Sequence, residues 1–233
     1  MKLTFRTTAL LAAILSVGLA LCCRHTTVPS PLGPEPRAAA APAPATPPDR
    51  PADWAIPLDH PGLPNLHRVD DHLYRGAQPT GDGFRELKAL GVRTVVNLRN
   101  FHSERHATSQ AGLALEEIPL TPAHITEEDA LRFLRVVADR SRGPFFVHCQ
   151  HGADRTGTMM AVYRVVVCDW SKAEALDEMV NGGFGFHVVW GNLPKFIESL
   201  DVEKLRRAAG IRPPASGPAV EPPPPPTPGT PLS

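Results

Sequence analysis

Two short apolar runs, "RTVVNL" at residues 93–98 and "PFFVH" at residues 144–148, constrain this chain more than any other feature. Both are rich in β-branched or aromatic side chains and lack the alternation of a half-exposed strand. That is the pattern of strands buried on both faces of a parallel sheet. Parallel neighbours need crossovers, and helical patterns supply them. "GFRELKALG" reads as a helix capped by Thr80 and ended by Gly91, and a weaker helix from Ser103 leads to "LALEEIPL". Thr126 with Asp129, and Ser171 with Glu174, are spaced as capping boxes. The first opens a helix through Leu131, Leu134 and Val137; the second opens one that ends near Asn181, Gly182 and Gly183. An apolar helix covers about residues 156–168 and a last one about 193–208, while "NLHRVDDHLYRGA" reads as two short strands around residues 70–71. The expected fold class is α/β, a mainly parallel central sheet flanked by helices.

Proline marks where that domain stops. Most of the 27 prolines crowd into residues 28–51 and 212–233, segments without the apolar content to offset chain entropy. The expected organisation is a signal peptide over 1–22, a Pro/Ala-rich linker over 23–52, one domain over 53–210 and a proline-rich tail over 211–233. Within 1–22, Lys2 and Arg6 precede a run of about 15 apolar or small residues, short of the roughly 20 a membrane span needs. Leu19-Ala20-Leu21-Cys22 resembles a bacterial lipoprotein signal, in which the cysteine becomes lipidated, although leucine stands where a small residue usually precedes the cysteine. The expectation is export across the inner membrane to the periplasm or cell envelope, with a lipid tether at Cys22; plain secretion and an uncleaved anchor are the alternatives. With 24 Lys and Arg against 24 Asp and Glu, no basic excess points to nucleic acid, and a monomer is expected.

"HCQHGADRTG", His148 to Gly157, lies between the second strand and the apolar helix, where α/β sheets bind ligands. From Cys149 to Arg155, with Gly152 to permit a tight bend, Gln150, His151, Gly152, Ala153 and Asp154 can turn backbone amides inward as an anion cradle. The helix adds its positive end, and amides, dipole and guanidinium together favour a thiolate at Cys149. Arg155 supplies a planar fork suited to a tetrahedral oxyanion, and Thr156 can offer a hydroxyl to the sulfur. Thiolate, cradle and fork describe nucleophilic attack on a phosphate monoester, through a cysteinyl-phosphate that water hydrolyses, with no cofactor. His148 and His151 could suggest zinc, but two ligands do not share one tight anion loop easily and a fourth ligand is not evident, so no metal is expected. Cys168, at least about 20 Å along the helix from Cys149, is read as a core residue and not a disulfide partner.

The same ten residues carry the His-Cys-x5-Arg-Thr-Gly signature and resemble the cysteine-dependent protein tyrosine and dual-specificity phosphatases. "LYRGAQPT" with "GVRTVVNLR" resembles the entry to their bacterial, plant and fungal atypical branch. The resemblance implies Cys149 as nucleophile, Arg155 as phosphate-binding residue, His148 as an orderer of the loop and Thr156 as support for the sulfur. It also implies a phosphorylated protein or small phosphate ester as substrate. Phosphotyrosine-type esters are favoured over inositol phosphates and phosphoinositides, because only His151 adds positive character beside Arg155 and Asp154 subtracts it. A phosphate-binding module with little turnover is the rival. The family's usual acid, an aspartate about 30 residues before the cysteine, has no counterpart in "PLTPAH". Candidates are Asp154, which a nearby thiolate and phosphate would favour in its protonated form, His124, the cluster Glu127, Glu128 and Asp129, or no dedicated acid. Arg75 and Arg99 are read as surface or sheet-end arginines with a possible substrate role, and Asn97 as a structural hydrogen-bonding residue. "NGGFGFHVVW" reads first as packing and helix termination, and second as a pocket mouth through Phe186 and His187.

Overall fold

The structure, a computed structural model, describes residues 50–212. The expected signal segment with Cys22, the expected linker up to residue 49 and the tail from residue 213 lie outside the described residues. Strands β1 (Ile56–Pro57), β2 (His67–Arg68), β3 (Leu73–Gly76), β4 (Thr94–Asn97), β5 (Ala114–Glu117) and β6 (Phe145–His148) form one sheet in the order β1-β2-β3-β6-β4-β5. The first two pairings are antiparallel, and the turn at residues 70–71 joins β2 to β3. The other three are parallel, with Val147 of β6 between Arg75 of β3 and Val96 of β4. The two apolar runs therefore lie side by side at the centre of a mainly parallel sheet.

Side chains alternate between two cores. Val95 and Phe146 face one, with Leu87 of α1 (Gly83–Ala89); α2 (Arg105–Gln110) leads into β5 on the same side. Val96, Phe145 and Val147 face the larger core. There they meet α3 (Glu127–Ala138), α4 (Asp154–Val166), α5 (Lys172–Asn181), α6 (Asn192–Ser199) and α7 (Val202–Ala209). Helix α4 is buried on nearly every side, which is why its apolar residues form no single stripe. Glu178 of α5 takes both prongs of Arg164 from α4, at 2.8 Å each, and the Ala55 amide at 2.6 Å. Arg50, inside the stretch expected as linker, donates to the carbonyls of Gly182 and Ala55, both at 2.6 Å.

Both capping boxes form as their spacing indicates, Thr126 with Asp129 and Ser171 with Glu174. Three local expectations are corrected. Thr80 does not cap α1: its carbonyl accepts from the Gly83 amide, and the helix starts after Asp82. Helix α4 begins at Asp154, two residues earlier than expected. The single last helix is two, because Leu200 leaves helical geometry and the Asp201 side chain accepts from the Lys204 amide to start α7.

Candidate active site

Strand β6 ends at His148, and the chain turns through Cys149–Ala153 into α4. Four successive carbonyls of this turn are tied down from behind. His148 Nδ1 bonds the Cys149 carbonyl at 3.1 Å, and the Gln78 amide donates to that of Gln150 at 3.3 Å. Asn65 Nδ2 donates to the His151 carbonyl at 2.9 Å, and an Arg75 guanidinium nitrogen to the Gly152 carbonyl at 2.7 Å. In a trans peptide the N–H points opposite to the C=O. Anchoring the carbonyls of residues 149–152 outward therefore turns the amides of residues 150–153 the other way, toward a common anion position. Gly152 has φ +71°, and a Cβ there would stand 2.5 Å from the carbonyl carbon and oxygen of Gly76. Glycine is required both for the left-handed turn and for the close approach of the loop to β3.

Cys149 lies at the base of the turn, 2% exposed, and both Cys149 and Cys168 are free thiols. Thr156 is fully buried, and its hydroxyl has no hydrogen-bond partner among the described residues. Arg155 is half-buried and lies 3.5 Å from the Leu98 carbonyl and 3.4 Å from that of Leu120, loosely held where β4 and β5 give way to their loops. Gln150 and His151 are exposed, while Gly152 and Ala153 are buried.

His148 is fully enclosed between its neighbour's carbonyl and Glu104, whose carboxylate meets Nε2 at 2.8 Å. Gln78 donates to the other oxygen of Glu104 and accepts from Arg99 at 2.6 Å. Nothing in the local sequence marks Glu104 or Gln78 as part of this loop. Glu104 is simply an acidic residue before a short helix, and only the β4–β6 pairing brings it under His148. Arg75 also differs from its reading. It is 1% exposed and 3.5 Å over the Phe184 ring, with two of its nitrogens unpartnered, and burial pushes its pKa down to about 10. It is a buried prop of the loop and not a surface group. Asn97 is structural, bonding the Arg99 amide and the His102 carbonyl.

The acid candidates are dispersed. Asp154 opens α4, and its carboxylate takes the His187 amide at 2.9 Å and His187 Nδ1 at 2.9 Å and 3.1 Å. His124 is exposed on the turn it closes with Thr121. Glu127 pairs with Lys204, Asp129 belongs to its capping box, and Glu128 is exposed. Within the stretch 181–190, Phe184 packs under Arg75, and His187 reaches the start of α4.

Residues 60–187 match the family model described as DSP-PTPase phosphatase fused to NAD+ kinase. The chain is 35% identical over 156 residues to the dual-specificity protein phosphatase TpbA of Pseudomonas aeruginosa, covering 66% of this chain and 70% of that protein. It superposes on a crystal structure of a TpbA cysteine-to-serine variant in complex with phosphotyrosine. That match has a TM-score of 0.63 and 34% identity, over 69% of this chain and 98% of the other. An inositol diphosphatase of Arabidopsis thaliana is 28% identical over 155 residues, covering 62% of this chain and 73% of the relative. Signature loop, sheet order and relatives converge, and the chain belongs to the DSP-PTPase family of cysteine-dependent phosphatases.

Proposed function

We propose that this chain hydrolyses phosphate monoesters, with phosphotyrosine-type aryl esters as its substrates, through a cysteinyl-phosphate at Cys149. The observation that carries the reading is the set of four outward-tied carbonyls around a buried cysteine. A cradle of fixed amides binds phosphate oxygens without reorganising. Arg155, loosely held, is free to turn onto two of those oxygens as the negative charge spreads in the transition state. Cys149 Sγ attacks phosphorus from below, the ester oxygen leaves on the opposite side with a proton, and water then cleaves the S–P bond. Thr156 offers its spare hydroxyl to the sulfur as it leaves. The aryl preference is supported by the phosphotyrosine held by the TpbA variant and by the loop's single arginine with an adjacent Asp154. Inositol phosphates, with several dianionic groups, call for more positive charge than this loop carries.

The test uses the full chain in reducing buffer with a chelator. Phosphate release is compared for a phosphotyrosine peptide, a phosphoserine peptide and inositol hexakisphosphate, with Cys149→Ser as control. Faster, Cys149-dependent turnover of the phosphotyrosine peptide is expected; preference for the inositol phosphate would reassign the substrate. Wild-type release no faster than Cys149→Ser, with phosphate still bound, would favour a binding module. We also propose export and lipidation at Cys22, supported by the basic start and apolar run of residues 2–22. Labelling by a fatty-acid analogue that Cys22→Ala abolishes is the expected outcome.

A further inference from the structure

We propose that His187, oriented by Asp154, is the group that protonates the leaving oxygen and then takes a proton from the attacking water. The inference rests on the phosphatase reading and fills the place left by the missing aspartate. In-line displacement fixes where an acid must stand. Cys149 attacks from the floor of the loop, so the leaving oxygen points out toward the mouth, and the donor must come within about 3 Å of it there. Asp154 does not fit that position. Its side chain is 10% exposed and both its oxygens face nitrogens of His187, one of them a main-chain amide that can only donate. Both oxygens are so engaged by the chain's own nitrogens.

His187 does fit. Its Nδ1 is fixed on Asp154, which leaves Nε2 on the far edge of a ring that is half exposed. A carboxylate on one ring nitrogen sets the orientation and supports the imidazolium, while the other nitrogen exchanges the proton. The backbone amide of His187 bonds the same carboxylate, so chain and ring are held together at the start of α4, one residue before Arg155. The titratable groups facing the ring are Asp154 from α4 and His151 from the loop, whose ring centroid lies 5.7 Å away. The protons balance. In the first step the S–P bond forms, the P–O bond breaks, and the Nε2 proton goes to the ester oxygen. In the second, water adds to phosphorus, its proton returns to Nε2, and the thiolate leaves.

The experiment uses the full chain and a series of aryl and alkyl phosphates of graded leaving-group basicity. His187→Asn keeps a donor for Asp154 and removes Nε2. Its kcat is expected to fall 100-fold or more on alkyl esters and less than 10-fold on strongly activated aryl esters, with the inhibition constant of inorganic phosphate unchanged. His187→Ala should recover rate when imidazole is added, which a purely structural role would not produce. Asp154→Asn should give a slope between those of wild type and His187→Asn. Equal leaving-group slopes in wild type and His187→Asn overturn the assignment. So does a steeper slope in Asp154→Asn than in His187→Asn, or a steepened slope in His124→Asn alone. If wild type shows no Cys149-dependent turnover, the phosphatase reading itself falls, a result distinct from the loss of His187's role.

Discussion

Replacing Gly152 by alanine puts a methyl group where the loop touches β3. The added Cβ would stand 2.5 Å from the Gly76 carbonyl and 2.7 Å from the Ala77 nitrogen, where ordinary contact begins at 3.4 Å. Something must move by about 0.9 Å, the difference between those distances. The obstructing atoms are backbone. Ala77 is pinned by its bond to the Pro64 carbonyl at 2.9 Å and Gly76 by its pairing with His148, so the loop is the side that yields. A non-glycine residue at φ +71° adds about 1–2 kcal/mol of strain, and the displaced loop weakens its bond to Arg75. A total of about 2–4 kcal/mol follows, a fall in melting temperature of roughly 5–15 °C for a domain of this size. The larger effect is on rate, because a misplacement near 1 Å in a positioned site costs about 100-fold. Thermal melting and kcat/KM on an activated aryl phosphate, measured together, should show a folded protein with at least that loss. An alanine variant that keeps a third of the wild-type kcat/KM would refute the claim that this approach shapes the cradle.

Glu104→Ala removes a buried partner of both His148 and Gln78, and should destabilise the fold by about 3–5 kcal/mol in denaturant titration. Glu104→Gln should recover part of that, and a loss below about 1 kcal/mol would remove the network from any structural account. His67 is buried, edge-on to Phe184, and burial lowers its pKa from 6.5 to about 4. Between those values the unfolded chain binds a proton that the fold excludes. Stability should therefore fall as pH drops from about 6.5 and level off below about 4, by up to about 3 kcal/mol. His67→Gln should flatten that limb; an unchanged slope assigns it elsewhere.

The sheet was legible because buried parallel strands need uninterrupted apolar runs, and "RTVVNL" and "PFFVH" are short runs rich in β-branched or aromatic residues. The capping boxes were legible for a similar reason, since donor and acceptor lie three residues apart in the chain itself. The cysteine and arginine of the loop stand in one contiguous signature. The loop's supports do not. Asn65, Arg75, Gln78 and Glu104 act across 44 to 86 residues of sequence, and each has a local environment that reads as ordinary turn, strand or helix start. His187 is intermediate. The glycine-rich stretch around it announced a turn, but which side chain that turn would deliver to the start of α4 depends on how α5 ends.

The long reach of those supports has a consequence for how catalytic competence is acquired. Asn65, Arg75 and Gln78 hold three of the loop's four anchored carbonyls, across separations of 86 and 77 residues for the side-chain bonds. None of those bonds exists until β3 has docked along β6. A chain with α4 formed and Cys149 present, but with β3 undocked, has no amide cradle. On the proposed mechanism, competence at Cys149 therefore waits on closure of the sheet.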